Sequence, residues 1–187
     1  MFQIQGHWVL EAKKFPSPNF NERPEGADIS LLVVHSISLP PNQFGGPYVD
    51  DFFQNRLQGD HPFFDEIKDL QVSAHFLIRR DGTLHQYVAC DKRAWHAGVS
   101  QWQGRENCND FSIGVELEGA DHILYEKIQY QRLAALIYTL QQAYPAIKNR
   151  EHIVGHCHIA PGRKTDPGPA FDWSYLWHCL AAHGERK

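Results

Sequence analysis

A chain of 187 residues with 42% hydrophobic content is long enough for one well-filled core and gives no reason to expect two. Its 18 basic and 22 acidic residues leave a net charge of -4, which argues against nucleic-acid binding by bulk electrostatics and against a basic membrane-facing patch. The start, Met1 to Trp8, has neither a basic segment nor a long apolar one, and no later run approaches the ~18 apolar residues of a membrane span. The expectation is a cytoplasmic chain acting on a small or locally recognised substrate, with no obligatory protein partner evident.

Residues 1–28 carry Pro16, Pro18, Pro24 and Gly26 without a sustained period and read as an ordered N-terminal arm. Leu31-Leu32-Val33-Val34 follows Ile29-Ser30 as an apolar run with β-branched residues, long enough for a buried strand and too short for a typical helix. His35 ends it. Leu39 to Pro47, with three prolines and two glycines, forbids regular structure and reads as a lid or pocket wall beside His35. Val49, Phe52, Phe53 and Leu57 mark a short helix that Gly59 ends.

A strand is expected over Ser73 to Arg79, and Asp81-Gly82 before Leu84 to Val88 is a hairpin signal. Trp95 and Trp102 bracket His96 in a stretch that reads as a binding wall. Ser112 to Glu118 alternates, so Gly114, Glu116 and Glu118 share one face, with Glu118 expected at the surface. Ile128 to Tyr144 has the period of a helix of about four turns, stopped by Pro145. Ile153-Val154 is a short strand, and Asp172 caps a last helix from Trp173 to Gly184, leaving 184–187 as a frayed tail. The fold class is α/β (α+β): one domain over 1–187 with a central mixed sheet flanked by helices. Cys90, Cys108, Cys157 and Cys179 lie far apart with no C-x-x-C and are expected as free thiols.

Gly155 to Gly168 crowds His156, Cys157, His158, Lys164 and Asp166 into a chain stiffened by proline and glycine, poor material for a core. His156 and Asp166, joined by His35, would make the three protein ligands of an open catalytic zinc site. His158 competes, because a His-x-His pair is itself a ligand spacing; the turn at Ile159-Ala160-Pro161 favours His156 without deciding the matter. Glu116 is placed to act as a general base, Lys164 to stabilise an oxyanion, and Cys157 reads as a small buried hydrophobe.

Longer stretches carry a family resemblance: Leu31 to His35, Ser38 to Pro41, Phe44 to Pro47, Val72 to His75, Leu77 to Gly82, Asp91 to Ser100, Asn109 to Gly114 and Lys164 to Pro169. From Trp8 to about Trp173 the chain resembles the zinc-dependent N-acetylmuramoyl-L-alanine amidases, which include the peptidoglycan-recognition proteins and phage lysozyme amidases. Within them it is most similar to the AmpD type, which acts on 1,6-anhydro-muropeptides. The resemblance implies His35, His156 and Asp166 as ligands of one zinc ion, Glu116 as the catalytic carboxylate and Lys164 as oxyanion stabiliser. It thereby chooses His156 over His158. It further implies cleavage of the amide between anhydro-N-acetylmuramic acid and L-alanine in cytoplasmic peptidoglycan recycling, with an influence on β-lactamase induction. Ser36, where relatives commonly have asparagine, together with Trp95, His96 and Arg105, is expected to border the substrate, Arg105 pairing with a carboxylate of the peptide stem. Asn107 stands where close relatives carry a second arginine. The rivals are a metal-free peptidoglycan-binding module and a thiol hydrolase built on Cys157.

Overall fold

Four apolar residues in a row leave no polar face to offer water, and in the computed structural model of the chain Leu31 to Val34 lie fully buried within a sheet. The structure describes residues 2–147 and 149–184. The sheet holds six strands: β1 (Lys13–Lys14), β2 (Leu31–Ile37), β3 (Phe76–Ile78), β4 (Leu84–Gln86), β5 (Ser112–Glu118) and β6 (Ile153–Gly155). Their spatial order is β6-β2-β5-β3-β4-β1. The first four run parallel, β4 returns antiparallel to β3, and β1 joins the edge parallel to β4. Asp81-Gly82 closes the β3–β4 hairpin as its chemistry predicts: Gly82 takes φ +81°, and the Asp81 carboxylate accepts the Thr83 N–H at 2.8 Å.

Among the described residues five α-helices surround the sheet: α1 (Tyr48–Phe53), α2 (Pro62–Ile67), α3 (Lys127–Ala143), α4 (His156–Ile159) and α5 (Trp173–Gly184). Leu32, Val34, Ile113, Val115 and Leu117 point to one face and join Leu133, Leu136, Ile137 and Leu140 of α3 and Leu176 of α5 in the main core. Gln129 ties α3 to the strands: its side-chain amide donates to Ile78 O at 3.2 Å and Glu118 O at 3.0 Å, while its Oε1 accepts the Glu126 N–H. Leu31, Val33 and Val154 point the other way, toward Cys108, Phe111 and Ile159. This opposite face carries short helices and loops.

Some expected boundaries move. The helix after Val49 ends at Phe53, and Leu57 reaches its core from an irregular segment. A second short helix, α2, starts where the His61 ring accepts the Phe63 N–H at 3.2 Å. The strand expected from Ser73 begins at Phe76, because Ser73 N–H is taken by Trp95 O at 3.1 Å. The arm is ordered as expected: Phe20–Asn21 pairs with Arg93–Ala94, and the Arg23 guanidinium donates to the carbonyls of Cys90, Asn109, Asp110 and Ser112 at 2.8–3.1 Å. At the other end, Gly184 closes α5, and 185–187 of the expected tail lie outside the described residues. The four cysteines are free thiols.

Glu118 is a correction. It is buried, not at the surface, and its carboxylate accepts the N–H of Gly45 at 2.6 Å and of Arg80 at 3.1 Å while pairing with Arg79 at 3.3 Å. The Arg80 guanidinium lies over the Phe44 ring, so the irregular 39–47 segment is pinned to the sheet end by charge and by stacking. Arg79 also approaches buried Asp50, whose Oδ1 receives the Tyr87 hydroxyl at 2.5 Å and faces His85 Nδ1 at 2.8 Å. Burial alone would raise the Asp50 pKa, but the hydrogen bonds from His85 and Tyr87 and the Arg79 charge outweigh it and hold the carboxyl below its ordinary value. A carboxyl depressed on folding stabilises the fold above its unfolded pKa of about 3.9 and loses that contribution as pH falls through the folded value. Asp50→Asn should therefore lower the urea-unfolding free energy by about 2 kcal/mol at pH 7. Its deficit relative to the parent should shrink as the pH is taken below about 4.

Candidate metal centre and active site

Pairing register brings the site together. Between β2 and β5, His35 lies opposite Glu116; between β2 and β6, Val34 lies opposite Gly155, so His156 emerges beside His35. All three side chains thus stand at the carboxyl ends of neighbouring parallel strands, where an open α/β sheet binds ligands. Asp166 is returned by the loop after α4, whose shape is held by the Cys157 N–H on Asp166 O at 3.0 Å and the Tyr125 hydroxyl on Pro167 O at 2.7 Å. Gly168, at φ +80°, passes so close to Asp121 that an added Cβ would stand 2.3 Å from its Cα. The crowded Pro-Gly loop is the means of delivering one carboxylate.

Three donor atoms converge. His35 Nδ1 and His156 Nδ1 are 3.0 Å apart, and Asp166 Oδ2 is 3.2 Å from each. His156 Nε2 faces the carbonyl of Ala97 at 3.0 Å; because a carbonyl only accepts, the neutral ring carries its proton there and leaves the Nδ1 lone pair aimed at the centre. Burial lowers the His35 pKa to about 4, against the opposing pull of the Asp166 carboxylate, so its ring is neutral at pH 7. Burial opposes ionisation of Asp166, yet its closeness to the His156 and His35 rings prevails and holds it far below the usual carboxylate range. Two imidazoles and one carboxylate around a common point form a group able to hold a metal ion.

Glu116 faces the same cleft, which measures about 660 Å³. It is 8% exposed, and its Oε2 has no hydrogen-bond partner among the described residues. Burial first, and Asp166 second, push its pKa well above the ordinary value, while Lys164 pulls the other way. Lys164, Ser36 and Trp95 line the cleft as the sequence leads one to expect, with Trp95 steadied by its indole N–H on Asn21 Oδ1 at 2.7 Å. The apolar wing of the cleft, with Leu39, Phe52, Phe63 and Ile67, is built by the 39–47 segment and the two short helices.

Other expected site residues lie elsewhere or act differently. Both His96 nitrogens are engaged, Nδ1 with His35 Nε2 at 2.9 Å and Nε2 with Ser112 Oγ at 3.1 Å, so the ring borders the cleft chiefly as support for His35. Arg105 is not brought to the cleft: its guanidinium stacks 3.7 Å over Phe111 and donates to Ser30 Oγ at 3.0 Å. Ser30 precedes β2, five residues before His35, which at about 3.3 Å per residue is about 16 Å away. His158 is excluded by a helical turn. His156–Ile159 is α4, and His158 Nδ1 accepts the Gly155 N–H at 2.9 Å, away from the donor cluster. Cys157 is half-buried instead of fully buried, and burial with the nearby Asp166 raises its thiol pKa, the opposite of an activated nucleophile. Sequence reasoning missed Tyr125, whose place at an irregular turn gives no periodic signal.

A family model described as N-acetylmuramoyl-L-alanine amidase matches residues 25–169. The chain belongs to that family. It is 61% identical to the 1,6-anhydro-N-acetylmuramyl-L-alanine amidase AmpD of Salmonella typhimurium strain SL1344, covering 89% of this chain and 88% of the relative. A crystal structure of a selenomethionine AmpD derivative superposes with a TM-score of 0.92 at 55% identity, over 95% of this chain and 99% of the other. AmpDh3 from Pseudomonas aeruginosa, solved in complex with an anhydromuramic pentapeptide, gives a TM-score of 0.60 at 31% identity, over 83% of this chain and 61% of that one. Among the described residues of this amidase no helix is long and apolar enough to cross a membrane. The ligand assignment separates two neighbouring histidines: His156→Ala should lose bound metal, whereas His158→Ala should keep about one ion per chain. Metal analysis after dialysis checks both.

Proposed function

We propose that this amidase hydrolyses the amide between the lactyl group of 1,6-anhydro-N-acetylmuramic acid and L-alanine, using one zinc ion held by His35, His156 and Asp166. The observation that carries the reading is the three-donor convergence beside a buried, unpartnered Glu116. Its donor triangle, with edges of 3.0, 3.2 and 3.2 Å, fits a tetrahedral ion. Ligands about 2.0–2.1 Å from zinc stand about 3.3 Å from one another. When bound, zinc supplies Lewis-acid polarisation and lowers the pKa of a water from about 15.7 to about 7. At 1.36 kcal/mol per unit that is about 12 kcal/mol, more than a general base alone contributes.

The chain's own groups then divide the work. Glu116, its basicity raised by burial, takes a proton from the attacking water as the new C–O bond forms at the lactyl carbonyl. It returns that proton to the alanine nitrogen as the C–N bond breaks, leaving a lactyl carboxylic acid and a free amine, between which the remaining proton passes to give carboxylate and ammonium. Lys164 at the cleft rim offers positive charge to the developing oxyanion. Ser36 and Trp95 contact the muropeptide, and His96 meets it only through the carbon edge of its ring. The setting is cytoplasmic recycling of cell-wall fragments, through which muropeptide levels bear on β-lactamase induction.

Purified protein incubated with anhydro-muropeptide should release free peptide, lose that activity to a chelator and regain it with zinc. Inhibition by iodoacetamide with indifference to chelation would instead favour the Cys157 thiol route, and no release under any condition would leave only a binding module. Glu116→Gln should lower kcat by about 10²- to 10⁴-fold while zinc content stays at the parent level.

A further inference from the structure

We propose that the 95–97 loop is an orienting plate for both metal-ligating histidines, with His96 the positioning residue that sets the tautomer and aim of His35. The inference rests on the zinc reading above. His35 and His156 reach the centre through Nδ1, so each must give its Nε2 proton to a partner behind it. Those partners are consecutive residues. His96 Nδ1 lies 2.9 Å from His35 Nε2, and Ala97 O lies 3.0 Å from His156 Nε2.

The direction of the proton chain follows. If His35 presents the Nδ1 lone pair, its Nε2–H donates to His96 Nδ1, and His96 must carry its own proton on Nε2, where Ser112 Oγ accepts at 3.1 Å. The reverse tautomer of His96 would set two N–H groups against each other at 2.9 Å.

The plate is built for fixity. Asn109 Oδ1 accepts the backbone N–H of His96 at 3.0 Å and of Ala97 at 2.8 Å, so one side-chain amide clamps both acceptors at once. Arg163 donates to Ala97 O and Val99 O, both at 2.6 Å, holding the far end. Gly114 lets the His96 ring lie against the sheet, since a Cβ there would fall 2.5 Å from the ring. A segment that lines the substrate cleft through Trp95 thus also backs the metal centre.

Two measurements test this. In zinc-loaded wild-type protein, nitrogen-15 spectra of the imidazoles should show His96 protonated on Nε2 and His35 on Nε2; a His96 protonated on Nδ1 would overturn the proposal whatever any variant does. Zinc affinity is then measured by competition with a chromogenic chelator. His96→Phe, which keeps a ring and removes the acceptor, should weaken zinc binding by about 10- to 100-fold. His96→Asn, whose Oδ1 can replace Nδ1 as acceptor, should recover most of the loss. The melting temperature of the zinc-free forms serves as the control for folding. Phe and Asn variants that bind zinc as tightly as the parent would sink the inference; a parent that binds no zinc would sink the zinc reading first.

Discussion

The site depends on one constraint, the in-register parallel pairing of β2 with β5 on one side and β6 on the other. Successive residues of a strand point to opposite faces, so a shift of one residue would turn His35 into the α3 and α5 core and bring Val34 to the cleft. The apolar complement forbids that shift. Leu32, Val34, Ile113 and Val115 fill the main core, and Leu31, Val33 and Val154 fill the smaller one opposite. Residues far apart in the chain, His35, Glu116 and His156, are therefore aligned by the burial of their aliphatic neighbours.

Among the described residues no long helix covers the face that bears the cleft; two smaller apolar clusters pack there, and polar connections hold the loops between them. Arg23 bonds the carbonyls of Asn109, Asp110 and Ser112 at the entry to β5 and that of Cys90 from another turn, and burial lowers its pKa only to about 10, so it stays charged. His75 extends the same wall: its Nδ1 accepts the Gly114 N–H at 3.0 Å, which leaves the Nε2 proton for Lys92 O. Burial lowers its pKa to about 3, keeping the ring neutral at pH 7. Such directed contacts give loops the rigidity that a metal centre requires of its surroundings.

What the sequence made legible tracks how local the determinant is. The β2 run, the β5 alternation, the Asp81-Gly82 hairpin and the α3 period are each written in a few neighbouring residues, and the structure follows them. Glu118 escaped because its partners, Gly45, Arg79 and Arg80, come from two other segments, and alternation cannot tell a solvated carboxylate from one met by a loop. His158 could not be set aside by spacing because strand alternation was the only geometry at hand, whereas a helical turn rotates it away from His156. Arg105 misled because neighbouring aromatic and glycine residues suggest a pocket rim without saying at which end of the sheet the rim lies. The engagement of both His96 nitrogens is a matter of three-dimensional contact alone.

Glu116 and Glu118 show how one strand face supports two fates. They point the same way, two positions apart, and both are nearly out of reach of water. Glu118 is met by two backbone N–H groups and an arginine, so its charge is satisfied and it acts as an anchor for the 39–47 segment. Glu116 receives no such partner on Oε2 and lies within the field of Asp166, so its negative charge is the costly one. A proton lowers that cost, which is what a base needs, and the neighbouring Lys164 limits how far the affinity rises. The carboxylate proposed to react is the one that the fold buries and whose Oε2 it leaves without a partner among the described residues.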